Sequence, residues 1–374
     1  MTARYSTFLI FAALSIIFFS CSGKKSSVNS MDSSSRKNTD TAGSRLIPSN
    51  PKPSWAPQIK DEMQVVMDKL VSYGAPPIES LTAQEARQQP TPTTAIIDVM
   101  KEKNIPMPPG MCDTMGKDIP VQGGIIRARI YTPKNNNVLF PVIVYYHGGG
   151  WVIADLDTYD ASAKGLAEQT NAIVVSVHYR QAPEYKFPIA HNDAFAAYKW
   201  VLQNASSMNG DSKKIAVAGE SAGGNLAANV SIMARDQNIM VPLYQVLVYP
   251  VANNDMNSES YKKNAQAKPL NKPMMEWFAK NYLPSVSTSA DPRISLVKSD
   301  LKALPPTTII AAEIDPLLTE GKLLADRLQE AGVTVNYKRY NGVTHEFFGM
   351  AAVVPEAKEA QAIASADLKM AFSK

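Results

Sequence analysis

The chain has 374 residues, 45% of them hydrophobic, so it is long enough to bury a substantial core as one large domain or two. Its formal net charge is +4, and the first 50 residues account for all of it with six Lys/Arg and two Asp/Glu. The remainder is therefore neutral, which argues against nucleic acid or another acidic polymer as a partner of the folded part.

The N-terminus resembles an export signal. Arg4 precedes an apolar stretch over 8–19, which is too short for a membrane span of ~20 residues and fits a secretory signal. Cys21 behind Ser20 resembles a bacterial lipoprotein cleavage site, although Phe18 stands where such sites usually carry Leu. We expect a signal peptide over 1–21 with Cys21 as the lipidation site. An ordinary signal with an incidental cysteine is the alternative.

The expected product is exported to the periplasm or outer membrane as a lipoprotein, or else secreted. Residues 22–54 are rich in Ser, Asn, Thr and Lys without hydrophobic periodicity, which predicts a flexible linker. Cys112 is the only other cysteine, so we expect no intrachain disulfide framework and no reactivity at Cys112.

Helical patterns occupy residues 55–110, which we assign to a helical cap. Apolar residues recur at helical spacing in the first of them, at Met63, Val66, Met67, Leu70 and Val71. A second candidate helix over 83–103 is interrupted by prolines. Such helices either pack as ordinary structure or cover an active site.

After Pro120 strands alternate with helices, which predicts an α/β fold with a mostly parallel, doubly wound sheet flanked by helices. We assign 111–374 to this catalytic domain. The strand at 125–131 alternates as an edge strand does. The others are predicted at 140–146, 172–179, 215–218, 245–249, 307–312 and 333–340, and the helices at 159–169, 190–204, 226–235, 317–331 and 357–372. An insertion at about 254–284 is expected to complete the cap.

The segment Gly219-Glu220-Ser221-Ala222-Gly223 lies between a predicted strand and a predicted helix. That context turns a G-x-S-x-G string into a nucleophile elbow, in which a tight turn exposes the Ser221 hydroxyl. The Ala222 N–H would lie at the positive end of the helix and suits a developing oxyanion. The G-x-S-x-G motif alone is weak evidence for a catalytic serine, because roughly one random chain in ten of this length would contain it.

The four histidines limit the search for a base. His147 opens His147-Gly148-Gly149-Gly150-Trp151, which is typical of the oxyanion loop of lipases and esterases and predicts donors at Gly148 and Gly149. We expect His178, inside a strand, and His191, at a helix start, to be structural.

His345 follows the last predicted strand, at the sheet edge where catalytic groups of α/β proteins gather. Asp315 follows the preceding strand and completes the order Ser, Asp, His. A helix N-cap is the other reading of Asp315, and Glu313 is the competing acid.

No His, Cys or carboxylate cluster has metal-ligand spacing, so we expect no metal and no cofactor. Trp151, Glu220, Trp277 and Phe278 are the candidates for lining the substrate pocket.

Together these blocks resemble the hormone-sensitive-lipase-like family of α/β-hydrolases, the bacterial family IV esterases. The resemblance covers residues 119–348 and rests on 147–150, 179–184, 219–225, 304–306, 315–317 and His345. It implies a triad of Ser221, Asp315 and His345, oxyanion donors at Gly148, Gly149 and Ala222, and a cap of N-terminal helices completed by an insertion. Glu346 replaces the Gly common after the histidine, which could narrow the pocket or alter the pKa of His345. Gln181 and Leu318-Thr319 are further departures from the family pattern.

The expected function is a serine carboxylesterase that cleaves short-chain acyl esters of small molecules. An amidase or arylformamidase would use the same triad, and a periplasmic peptidase lacks support from a propeller-like domain. The plant gibberellin receptors share the fold as non-catalytic binding proteins but have lost the histidine that this chain keeps.

Overall fold

The computed structural model describes residues 46–135 and 139–374, and the predicted signal peptide, Cys21 and most of the predicted linker lie outside them. The described strands form one eight-stranded sheet in the order β1-β2-β4-β3-β5-β6-β7-β8. They are β1 (Cys112–Val121), β2 (Gly124–Pro133), β3 (Phe140–Tyr146), β4 (Ile173–His178), β5 (Gly210–Glu220), β6 (Gln245–Val248), β7 (Thr307–Ile314) and β8 (Val335–Thr344). β1 and β2 pair antiparallel, β2 pairs antiparallel with β4, and every pair from β4 to β8 is parallel.

The helices cover both faces of the sheet, as a doubly wound fold requires. In chain order they are α1 (Asp61–Ser72), α2 (Ala83–Ala86), α3 (Pro92–Glu102), α4 (Asp160–Thr170), α5 (Ile189–Asn204), α6 (Ala222–Asp236), α7 (Glu259–Lys263), α8 (Lys272–Tyr282), α9 (Leu318–Glu330) and α10 (Pro355–Phe372). Short 3₁₀ turns occupy Ile78–Ser80, Ala205–Met208, Val286–Ala290, Leu296–Lys298 and Phe347–Met350.

Successive residues of the central strands face opposite layers. Val142 and Val144 pack with α5, α6 and α9, whereas Ile143 and Tyr145 pack with α4 and α10. Since both faces are covered, these strands are almost continuously apolar, which is why they could be predicted.

The edge of the sheet differs from the prediction. The edge strand beside β2 is β1, which carries Gly116, Pro120 and mostly exposed polar residues, so it has no apolar pattern to detect. The alternation in β2 reflects one solvated face, because Ile126, Ala128 and Ile130 are buried while β2 itself lies inside the sheet.

The segment predicted as one helix over 83–103 is two helices. α2 is a single turn, and α3 starts afresh with Pro92 in its first turn and Thr91 as its cap. Proline is favoured at that position because its missing N–H would be unbonded there anyway.

The N-terminal segment predicted as a cap is divided between two places. α1 and α3 pack with α10 and β8, whereas the turn at Ile78–Ser80 and α2 pack with α8 from the insertion. Trp277 Nε1 of α8 donates to the Leu81 carbonyl over 3.0 Å, which ties the insertion to the N-terminal segment. None of the helices within the described ranges combines the length and apolar character of a membrane span.

Candidate active site

Ser221 lies in a strained turn between β5 and α6. Its backbone has φ 55° and ψ −118°, a conformation that a residue with a side chain adopts only under constraint from its surroundings. Two glycines supply that constraint, because a β-carbon on Gly219 would collide with the Gly223 carbonyl and one on Gly223 with the Tyr146 carbonyl. The Ser221 N–H donates to the Val248 carbonyl over 2.8 Å, which anchors the turn to β6.

His345 and Asp315 form a buried pair at the same edge of the sheet. Asp315 directly follows β7 and His345 directly follows β8, and Asp315 Oδ2 lies 2.7 Å from His345 Nδ1. Because a carboxylate only accepts hydrogen bonds, Nδ1 carries the proton and Nε2 is the free nitrogen of the neutral ring. The arrangement can therefore offer Nε2 as a base and stabilise the imidazolium.

The remaining hydrogen bonds of Asp315 and Glu313 show what else each carboxylate contacts. The second oxygen of Asp315, Oδ1, accepts from the Leu317 N–H over 2.8 Å, so the carboxylate also supports the turn ahead of α9. Glu313 Oε2 instead accepts from the Gly342 N–H over 2.8 Å. The carboxylate paired with His345 is thus that of Asp315.

Ser221 and His345 line one cavity of about 320 Å³, together with Gly149 and Gly150 of the glycine loop. Gly149 and Gly150 have φ values of 88° and 58°, which glycine adopts without the strain that a β-carbon would bring. Within the described residues the N–H groups of Gly148 and Gly149 donate to no other group. Ala222 is the first residue of α6, where a helix also leaves its N–H unbonded.

Burial favours the neutral form of the other three histidines. His147 stacks on Tyr179 with 4.4 Å between ring centroids, and burial lowers its pKa to about 3. His191 lies within hydrogen-bond distance of Tyr282 and Asn225, and burial lowers its pKa to about 4. Burial also lowers the pKa of His178, which borders the cavity.

The sequence of the chain is similar to those of known hydrolases. Residues 143–349, more than half of the chain, match the Abhydrolase_3 family of the alpha/beta hydrolase fold. The chain is 35% identical to a protein named carboxylesterase NlhH from Mycobacterium tuberculosis over 321 residues, covering 84% of this chain and 97% of that protein. It is 32% identical to a protein named ethyl acetate hydrolase from Pseudomonas putida, covering 76% of this chain and 88% of that protein.

Solved esterase structures have the same fold. An esterase from the archaeon Pyrobaculum calidifontis matches with a TM-score of 0.72 and 39% identity, over 78% of this chain and 94% of that one. A thermostable esterase from Pseudomonas putida matches with a TM-score of 0.78 and 31% identity, over 85% of this chain and 98% of that one. The chain belongs to the hormone-sensitive-lipase-like esterases of the α/β-hydrolase superfamily. Its activity is that of a carboxylic ester hydrolase.

A second cavity of about 540 Å³ meets the first one at Ser221 in this esterase. Of the residues predicted to line the pocket, Trp151 lines the second cavity and Phe278 lines both. The Phe278 ring also lies where a β-carbon of Gly150 would be, so the insertion packs directly against the glycine loop.

Two of the predicted pocket residues lie elsewhere. Trp277 borders neither of the cavities that Ser221 lines, because its ring packs within α8 and its Nε1 bonds the Leu81 carbonyl. Glu220 is buried beneath the elbow, where its carboxylate accepts from the hydroxyls of Tyr145 and Tyr249. Glu220 is the last residue of β5, and the alternation of side chains along the strand turns it away from the cavity that Ser221 lines.

The surroundings of His345 raise its pKa. Burial by itself lowers the pKa of the ring, but the carboxylate of Asp315 and then that of Glu346 outweigh burial. Glu346 Oε1 lies 3.9 Å from Nε2, and Glu346 also lines the first cavity. Sequence patterns gave no signal for Tyr249, whose ring centroid lies 4.4 Å from that of His345.

The pairing of His345 with Asp315 can be tested against the nearby acid. Asp315→Asn should lower kcat on p-nitrophenyl acetate by about a thousandfold or more, because an amide cannot hold the required tautomer of His345. The matched variant Glu313→Gln should change kcat by less than about twofold, since Glu313 contacts Gly342 and not His345. Steady-state kinetics in which the Glu313 variant suffers the large loss would show that the acid is misassigned.

Proposed function

We propose that this esterase cleaves short-chain acyl esters of small molecules by a two-step mechanism with Ser221 as nucleophile. The main support is the convergence of Ser221, the buried His345–Asp315 pair and the unbonded N–H groups of the glycine loop on one cavity. No cofactor is required by this chemistry.

In the first step Ser221 Oγ attacks the ester carbonyl while His345 Nε2 takes its proton. The negative charge that develops on the carbonyl oxygen is stabilised by the N–H groups of Gly148, Gly149 and Ala222, each worth roughly 3 kcal/mol in sites of this kind. His345 then gives the proton to the departing alcohol, which leaves the acyl group on Ser221.

In the second step water replaces the alcohol. His345 accepts one proton from water as the water oxygen attacks the acyl carbon, and the proton then passes to Ser221 Oγ as the acid leaves. The positive charge that His345 carries in each half of the reaction is stabilised by Asp315, 2.7 Å away.

The short-chain preference is supported by the size of the space beside Ser221. The cavities of about 320 and 540 Å³ lie in the lower half of the range that small-molecule sites occupy. Phe278 stands between them and limits the room for a long chain. A relative at 32% identity is named ethyl acetate hydrolase.

Replacing the nucleophile is the first test of the mechanism. Ser221→Ala should reduce hydrolysis of p-nitrophenyl acetate by about 10⁵-fold or more, because no other group replaces the attacking hydroxyl. Ser231→Ala is a matched control, since that hydroxyl only bonds the Ala227 carbonyl of its own helix. Substantial activity in Ser221→Ala, measured by release of p-nitrophenol, would disprove the mechanism.

A series of p-nitrophenyl esters tests the acyl preference. We expect kcat/KM to be highest between acetate and hexanoate and to fall by about tenfold or more at laurate, because the cavity walls exclude longer chains. A maximum at laurate or palmitate would contradict the proposed substrate class.

We also propose that the protein is exported and tethered to a membrane through a lipid on Cys21. The support is the sequence of residues 1–22 alone, which lies outside the described residues. Cys21→Ser should move the protein from the membrane fraction to the soluble fraction, because the remaining signal would no longer provide a lipid anchor. The control Cys112→Ser should leave fractionation unchanged, since Cys112 is buried in β1. Identical fractionation of the two variants would reject the tether.

A further inference from the structure

Glu346, the residue after His345, has an uncommon backbone conformation. Its φ is 70° and its ψ is 3°, in the left-handed region where residues with side chains are uncommon. This turn brings Oε1 to 3.9 Å from Nε2, on the side of the ring opposite to Asp315. The strained residue thus places a carboxylate next to the nitrogen that must handle the proton of the reaction.

The carboxylate is fixed in that place by Tyr159, at the start of α4. The Tyr159 hydroxyl donates to Glu346 Oε1 over 2.6 Å. The same hydroxyl lies where a β-carbon of Gly148 would be, so it rests directly on the oxyanion loop. Glu346 is therefore held between the base and the predicted oxyanion donors, and its carboxylate borders the cavity that Ser221 lines.

The distance of 3.9 Å between Oε1 and Nε2 has a specific consequence. It is too long for a direct hydrogen bond, but one water molecule can bond both atoms. Such a water would donate one hydrogen to Nε2 and the other to the carboxylate. We propose that Glu346 orients the water molecule that hydrolyses the acyl-enzyme. This inference rests on the acyl-enzyme mechanism proposed above.

The step balances without a change of charge on Glu346. The water oxygen forms a bond to the acyl carbon, the hydrogen on the His345 side moves to Nε2, and the second hydrogen stays on the oxygen that becomes part of the acid. His345 then protonates Ser221 Oγ as the bond from Oγ to the acyl carbon breaks. Glu346 acts by fixing the second hydrogen, so that a lone pair of the water points at the acyl carbon.

The charged groups around Glu346 are consistent with this role. His345 faces Glu346 directly, and Asp315 lies at the opposite nitrogen of the ring. Glu220 acts electrostatically on His345, and Arg87 and Asp155 line the same cavity as Glu346. The Arg87 guanidinium is occupied by the Glu184 carboxylate and by the carbonyls of Val152 and Ala182. Glu346 is thus the carboxylate nearest to the free nitrogen of His345.

Water has a second hydrogen that it can donate to Glu346, whereas an alcohol does not, and this difference allows the contact with Glu346 to be tested. Methanol has a single hydroxyl hydrogen, which must go to Nε2 when methanol attacks, so it has none to donate to Glu346. Removing the carboxylate should therefore slow hydrolysis of the acyl-enzyme but leave its methanolysis nearly unchanged. The ratio of methyl acetate to acetate formed from p-nitrophenyl acetate measures this difference.

The test compares Glu346→Gly, Glu346→Gln and the exposed control Glu330→Gln in a fixed concentration of methanol. Glycine suits a φ of 70° and removes the carboxylate, whereas glutamine keeps an acceptor oxygen without the charge. We expect the ratio of methyl acetate to acetate to rise by about tenfold or more in Glu346→Gly, the size expected for a lost hydrogen bond to a charged group. In Glu346→Gln the rise should be smaller, and in Glu330→Gln the ratio should match the unsubstituted enzyme.

A second readout separates orientation of water from a structural role. If only the hydrolytic step slows, kcat and KM of Glu346→Gly fall in the same proportion, and kcat/KM stays within about twofold. An unchanged product ratio, or a fall in kcat/KM as large as that in kcat, would overturn the proposal. Absence of methyl acetate with the unsubstituted enzyme would instead count against the acyl-enzyme itself, so the two failures are distinguishable.

Discussion

The close approach of helix α6 to strands β3 and β5 is the constraint on which the site depends. Glycines at 219 and 223 allow that approach, because a β-carbon at either position would strike a backbone carbonyl. The contact forces Ser221 into its strained turn and places the start of α6 beneath it. The hydrogen bond from the Ser221 N–H to the Val248 carbonyl helps to hold Ser221 in a conformation that an isolated peptide would not populate.

The parallel strands bring the remaining groups to the same edge. Chain segments leaving β3, β7 and β8 carry Gly148, Asp315 and His345, so residues far apart in the sequence meet beside Ser221. The imidazole of His345 has a carboxylate near each of its nitrogens, that of Asp315 at Nδ1 and that of Glu346 near Nε2. The structure therefore surrounds His345 with groups that favour its protonated form, while burial favours the neutral form of the other three histidines.

Much of the fold and the positions of Ser221, Asp315 and His345 could be predicted because their signals are local. Buried parallel strands are continuous apolar runs, and the elbow and the glycine loop need glycine at fixed spacing. β1 carried no such signal, since an exposed edge strand is stabilised by its backbone pairing with β2. The orientation of Glu220 follows from the alternation of side chains along β5. No local pattern in the sequence predicted where the side chains of Trp277, Tyr159 and Tyr249 lie. The orientation of these three side chains depends on contacts with distant parts of the chain, such as the hydrogen bond between Tyr159 and Glu346, which are 187 residues apart.

Covalent trapping can show whether Ser221 is the nucleophile that His345 and Asp315 activate, as we propose. The protein would be treated with diethyl p-nitrophenyl phosphate, digested and mapped by mass spectrometry of its peptides. One diethyl phosphoryl group is predicted on Ser221, with labelling lost in a His345→Ala variant that remains folded. A label on another residue, or equal labelling of Ser221 without His345, would contradict this proposal.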